Sequence, residues 1–145
     1  MKRILSIVLA VIMMVLPLSV STIASGDDTN YDDLVAPCYD NVTTISAGIT
    51  KGSLGFVTCT SHFKSVENGK TFVMTCYLQR CDEDTAWSNY KSTSETYSGA
   101  GGYTISKNWF APAGYAYRTY TKVQVKNSSG TVIETITTFS ATLYK

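Results

Sequence analysis

From residue 42 to the end of the chain, apolar and polar positions exchange one for one in short runs. The longest such stretch, residues 115–139, reads YAYRTYTKVQVKNSSGTVIETITTF. One parity of its first run holds Tyr115, Tyr117, Thr119, Thr121, Val123 and Val125. The other holds Ala116, Arg118, Tyr120, Lys122, Gln124 and Lys126. A period of two sends these sets to opposite faces of a strand, one dry and one wet. Tyr, Thr, Val and Ile, which fit a pleated half-buried surface, fill both runs. Between them Asn127-Ser128-Ser129-Gly130 is a turn cluster ending in the residue that accepts positive φ. The stretch therefore predicts a hairpin. A two-residue loop would set Glu134 opposite Val123 on the dry face. A three-residue loop with Gly130 as a bulge sets Ile133 opposite Val125 and Thr135 opposite Val123, with Glu134 beside Gln124 in water. Burying an unpaired carboxylate costs several kcal/mol, so the second register is expected.

The same pattern, taken in order, predicts further strands. Residues 42–50 form a first one with Thr43, Ile45, Ala47 and Ile49 inward, and residues 54–63 a second with Val57, Cys59, Ser61 and Phe63 on one parity. The turn Glu67-Asn68-Gly69-Lys70 leads to a third over 71–80, with Phe72, Met74, Cys76 and Leu78 inward. Trp87 to Tyr90, extending toward Thr96, reads as a shorter edge strand. Residues 103–110 place Tyr103, Ile105 and Trp109 on one parity, and Lys107 breaks that pattern, which predicts a bulge or twist. After residue 25 no helical period of useful length appears. About seven short strands separated by turn signals predict an all-β fold, a sandwich of two antiparallel sheets.

Composition changes this picture at the N-terminus. Met1-Lys2-Arg3 is a basic start, residues 4–18 are apolar apart from Ser6, and 19–25 are small and polar except Ile23. This is the pattern of a secretory signal peptide, and the apolar run is too short for a comfortable transmembrane helix. The expected organisation is a signal at 1–25, a flexible acidic leader at 26–40 with Asp27, Asp28, Asp32 and Asp33, and one sandwich domain at 41–145. Pro37 and the distance from the apolar run argue against Cys38 as a lipid-attachment site. Loss of Lys2 and Arg3 takes the 12 basic residues to 10 against 11 acids, so no global charge pulls the chain toward nucleic acid or anionic lipid. Four cysteines in an exported chain imply two disulfides. Cys59 and Cys76 both lie on inward parities, which favours Cys59–Cys76 with Cys38–Cys81. Cys38–Cys59 with Cys76–Cys81 is the main rival.

The order of these runs, an inward cysteine on the second strand, and the ending FAPAGYAYRTYTKVQV resemble immunoglobulin or fibronectin type III-like domains. In such folds a tyrosine is set against the backbone at a corner, a role the resemblance gives to Tyr115 or Tyr117 after Pro112-Ala113-Gly114. The family disulfide joins the second and sixth strands, and the sixth run here has no cysteine, so any core bridge must differ. The exported part also resembles small secreted proteins of Gram-positive bacteria with no assigned function. The resemblance implies a fold and says little of activity.

Catalytic chemistry is sparse. His62 stands three residues after Cys59, and an odd separation on a strand sends the two to opposite faces, which excludes a thiol–imidazole pair. One histidine cannot build a usual zinc site. Asp82, Glu83 and Asp84 lack calcium-loop spacing. Residues 99–102 open no helix, so they form no phosphate loop. Few acids lie on strand faces, so paired carboxylates for glycoside hydrolysis are not expected. Asn41-Val42-Thr43 and Asn127-Ser128-Ser129 match a glycosylation sequon, which means little in a chain of the bacterial kind it resembles. A surface is left. The wet face should carry Val73, Thr75, Tyr77 and Gln79, then Arg118, Tyr120, Lys122, Val132 and Ile136, with Trp87 and Tyr90 added by the edge strand. Aromatics interleaved with Arg and Lys form a binding platform. The ordinary account of the same residues is cross-strand pairing on a wet sheet face. The expected function is a secreted, disulfide-stabilised, non-catalytic binding module at the cell envelope or in the medium, without cofactor or metal. Its site residues would be Tyr77, Trp87, Tyr90, Arg118, Tyr120 and Lys122. Its partner would be a cell-wall glycan or another surface protein, with no nucleic acid and no stable membrane insertion after signal cleavage. The alternative is a secreted antimicrobial or toxin-like effector.

Overall fold

A computed structural model describes residues 39–82 and 86–145. The expected signal peptide, nearly all of the leader and Cys38 lie outside the described residues. Eight strands follow one another: β1 (Thr44–Lys51), β2 (Phe56–Ser65), β3 (Thr71–Cys81), β4 (Ser88–Ser98), β5 (Gly101–Phe110), β6 (Ala116–Lys126), β7 (Val132–Phe139) and β8 (Leu143–Tyr144). Every pairing is antiparallel. One sheet runs β1-β2-β5. The other runs β4-β3-β6-β7, with the short β8 beside the start of β6. The two layers pack face to face, and among the described residues there is no helix.

Alternation decides which side is sealed. On β6, Tyr117, Thr119, Thr121, Val123 and Val125 are buried, and the residues between them are only half-buried. Val57, Cys59, Ser61 and Phe63 of β2 and Phe72, Met74, Cys76 and Leu78 of β3 complete the core with Ile45, Ile49, Ile105 and Ile136. Each apolar side chain sealed this way contributes about 1.5–3 kcal/mol relative to exposure. At one end Phe63 packs on Phe72, Tyr97 and Tyr103, with ring centroids 5.2, 5.9 and 5.2 Å away. This cluster joins the two sheets where the β4–β5 hairpin crosses between them.

Several expectations need correction. Val42, not Thr43, is buried before β1, because the chain there is not yet on the strand's parity. Leu54 belongs to the β1–β2 turn, with φ of 53° and 89% exposure, so β2 starts later than expected. Strand β4 is long rather than short; its middle is all Lys, Ser, Thr and Glu, which hides an edge strand from an apolar pattern. Lys107 causes no bulge: β5 pairs with β2 without a register shift, and as an edge strand it leaves Lys107 a way out to water. The hairpin register matches neither expected form. Val123 faces Ile136, Gln124 faces Thr135, Val125 faces Glu134, and a shift lets Lys126 face Val132. The Asn127 side chain accepts from the N–H groups of Ser129 and Thr131 and holds a longer loop. Glu134 is not unpaired, because Asn41 Nδ2 donates to it at 2.8 Å. The penalty that argued for the other register is thereby removed, and Ile136, expected in water, is fully buried.

The end of the sandwich away from the aromatic cluster is stitched by polar bonds. Lys145 Nζ donates to the carbonyls of Gly55 and Ala111 (the latter at 2.6 Å), tying the end of the larger sheet to two turns of the smaller. Tyr117, fully buried, donates its hydroxyl to Pro112 O at 2.8 Å and pins the corner that leads into β6. Gly55, at φ +86°, lies under the Phe110 ring, and a Cβ there would stand 2.7 Å from Cε2.

Gly55→Ala adds that clash to left-handed strain and is expected to cost about 2 kcal/mol or more, a fall in Tm of roughly 10 °C by calorimetry. Gly130→Ala, with similar φ but open space around it, should cost only about 1 kcal/mol. Tyr117→Phe leaves the Pro112 carbonyl without its donor and should cost about 1–2 kcal/mol in denaturant unfolding.

Candidate functional site: the outer face of the larger sheet

Because the dry parity of β3 and β6 is fixed by the core, the other parity stands on the outer face in rows across the strands. One row is Ser92, Tyr77, Tyr120 and Phe139, directly opposite one another. Beside it lie Asn89, Gln79 and Arg118, and on its other side Ser94, Thr75, Lys122 and Thr137. Beyond these come Thr96, Val73, Gln124 and Thr135, then Ser98, Thr71, Lys126 and Val132. No Asp or Glu stands in these rows.

The aromatic row is a stack. Tyr77 and Tyr120 lie 5.3 Å apart with planes 22° from parallel, and Tyr120 and Phe139 lie 4.9 Å apart at 18°. The spacing is close to the distance between neighbouring strands, so the backbone sets the ladder's rungs. Arg118 closes it: its guanidinium lies 4.1 Å over the Phe139 ring and 4.2 Å over the Trp87 ring. Arg118 Nε donates to Gln79 Oε1 at 2.9 Å, and Gln79 Nε2 donates to Asn89 Oδ1 at 2.9 Å, so the group is fixed from both faces and one edge. Burial lowers Arg118 from its usual value, and burial followed by the neighbouring Tyr77 raises Tyr120. Near neutral pH the arginine is charged and the tyrosine hydroxyl stays a donor.

Of the six expected residues, Tyr77, Arg118, Tyr120 and Lys122 share this face, and Trp87 reaches it from just before β4. Tyr90 does not. It falls where β4 shifts register against β3, and it packs on the core side under Arg80, whose guanidinium also covers Tyr115. Phe139 was not expected, because the expected register turned its parity inward; its 45% exposure shows the opposite. The outer face of the smaller sheet is a contrast. Its middle carries Ser46, Thr50, Thr58, Thr60, Ser106 and Asn108, with Lys64 toward one end and the exposed Phe56–Phe110 pair, ring centroids 5.7 Å apart, at the other. His62 stands there, bonded to Thr104 at 2.9 Å, away from Cys59.

The expected Cys59–Cys76 bridge is not formed: both thiols are free and buried. The inward parities hold and put the sulfurs in one core. Parity, however, sets a direction and not a distance, and the two sulfurs stay outside bonding distance. Each thiol turns to a hydroxyl instead, Cys59 to Thr119 and Cys76 to Ser61. Ser61 and Thr121 share a 2.6 Å bond, and Thr119 donates to Gly48 O at 2.7 Å. A Cys76–Cys81 bond is excluded, since five residues along one strand separate them by about 16 Å. The Cys38–Cys81 and Cys38–Cys59 pairings involve a residue outside those described.

A cleft of about 590 Å³ opens near Trp87, lined by Cys81, Asp82, Tyr115, Tyr144 and Lys145 among others. The Lys145 amine is engaged by backbone carbonyls. Among the described residues no three His, Cys, Asp or Glu side chains converge as metal ligands. Compared with known proteins, the chain matches no family model, no curated protein and no solved structure. What the geometry defines is a two-sheet β-sandwich whose larger sheet carries a ladder of stacked rings and a line of cations on its outer face.

Burial first, with nearby Cys76 adding and the Thr119 bond opposing, pushes the Cys59 thiol from 9.0 up to about 12. Between those values the unfolded chain gives up a proton that the folded chain keeps. This contribution is complete below pH 9 and is lost as pH rises toward 12, at about 1.4 kcal/mol per pH unit. Urea unfolding at pH 8 and pH 10 should show a larger loss for the wild type than for Cys59→Ala. Equal losses would mean that the thiol ionises alike in both states.

Proposed function

We propose that this protein is a secreted, non-catalytic interaction module of immunoglobulin or fibronectin type III-like build. In this reading the outer face of the larger sheet meets a cell-wall glycan or another surface protein. The observation that carries the reading is the Tyr77–Tyr120–Phe139 stack closed by Arg118 between Phe139 and Trp87. Half-exposed rings and a guanidinium held in place by an amide chain lose little freedom on binding, as a recognition surface requires. Two features support the fold kinship. The order β1-β2-β5 against β4-β3-β6-β7 matches an immunoglobulin-type plan in which the fourth strand sits beside the third. Tyr117 on the sixth strand bonds back to Pro112 O, as a tyrosine corner does. The basic start, apolar run and small-residue end of residues 1–25 support export.

The test is a screen of the purified protein against arrayed glycans and isolated cell envelopes, with Tyr120→Ala and Trp87→Ala alongside. Retained ligand should bind at least about tenfold more weakly to each variant, as expected for aromatic anchors near the centre of a contact. Undiminished binding by both variants, or robust turnover in a hydrolase panel, would remove this reading.

A further inference from the structure

We infer that the outer face of the larger sheet selects a linear anionic glycan, engaging it by charge and by ring edges rather than by stacking on neutral sugar rings. The inference rests on the proposal that this face is the working surface, and it names the chemistry of what binds there.

Near-parallel rings at 5.3 and 4.9 Å overlap face to face, so the inner faces of the row cover one another. The Arg118 guanidinium occupies a face of Phe139 and a face of Trp87. A neutral pyranose needs an open ring face for its C–H groups. The row instead offers ring edges, which carry the positive end of the aromatic quadrupole, together with the two tyrosine hydroxyls. Both attract an anionic oxygen. Charge points the same way. Arg118, Lys122 and Lys126 stand on this face, and no carboxylate answers them in any row. Ion pairs within the sheet face therefore do not neutralise these cations, and a negative partner would. Spacing sets the length of the partner. The three cations recur every fourth residue of one strand, which sets them about 13 Å apart along a line of about 26 Å. A line of that length fits a chain with repeated anionic groups better than a single small ion. Arg118, stacked on both faces, meets such a group in its plane, the geometry that favours carboxylate and phosphate. The smaller sheet's outer face carries hydroxyls, an amide and an imidazole across its middle rows and one lysine, Lys64, toward its end, so it offers no comparable line.

The experiment measures binding of the purified protein to polygalacturonate, to a phosphorylated dextran and to neutral dextran, at 50 and 200 mM salt. The first two arms separate carboxylate from phosphate as the source of charge. Both anionic polymers, or one of them, should bind while dextran does not. Affinity should fall about tenfold over that salt range, as expected when three cations engage a polyanion. The double variant Lys122→Ala/Lys126→Ala should bind about tenfold more weakly and lose most of the salt dependence. Its unchanged thermal transition shows that the fold is intact, and Thr60→Lys on the opposite face should leave binding unaltered. Binding to a neutral glycan that Tyr120→Ala abolishes and salt does not weaken would overturn this inference and keep the binding module. Tighter binding to oligo(dT) than to either anionic glycan would overturn it in favour of nucleic acid. No binding to these polymers or to cell envelopes would overturn both.

Discussion

Strand β6 cannot turn over, and the rest of the molecule follows from that. Tyr117, Thr119, Thr121, Val123 and Val125 are all sealed between the sheets. A one-residue slip would put Arg118, Lys122 and Lys126 in their place, and an unpaired buried cation costs several kcal/mol. The neighbours β3 and β7 take their registers from β6, and so their outward side chains fall into rows with its own. The stack of Tyr77, Tyr120 and Phe139 is therefore a consequence of core packing on the opposite side of the same strands.

That link explains how much could be read in advance. The alternation of Phe72, Met74, Cys76 and Leu78 against Val73, Thr75 and Tyr77 is unbroken, and both faces of β3 were legible from it as far as Gln79, which is buried although it stands on the outer parity. The same holds for β6. Pairing between strands was much less legible, because register depends on loop geometry and on bonds from distant parts of the chain. Asn41 reaching Glu134 is such a bond: ninety-three residues apart, it allows a carboxylate near the dry side and so reverses an argument built on polarity alone. One error then had two effects. It sent Ile136 to water and turned Phe139 inward, which removed the third ring from the candidate face.

The polar core follows similar logic. Cysteine parity correctly placed Cys59 and Cys76 inside, yet parity fixes a direction and not a distance. Between the layers Ser61 and Thr121 bond to each other, Thr119 bonds to Gly48 O, and the two thiols lie beside Thr119 and Ser61. No buried side-chain polar atom among the described residues lacks a partner. Hydroxyl pairs on facing strands thus do part of the fastening that two sulfurs were expected to do. Tyr90 shows a third limit: its displacement to the core side comes from the shift of β4 against β3, and a shift leaves no mark in composition.

Residue-resolved NMR tests most directly whether the proposed ligand meets the outer face of the larger sheet. Amide and side-chain shifts of the labelled protein should be followed as a bound polymer is added. The changes should gather on Tyr77, Arg118, Tyr120, Lys122 and Phe139 and spare Thr58, Thr60 and Ser106 on the far sheet. Changes centred on those three, or on the Tyr115–Tyr144 cleft with the ring stack silent, would contradict it.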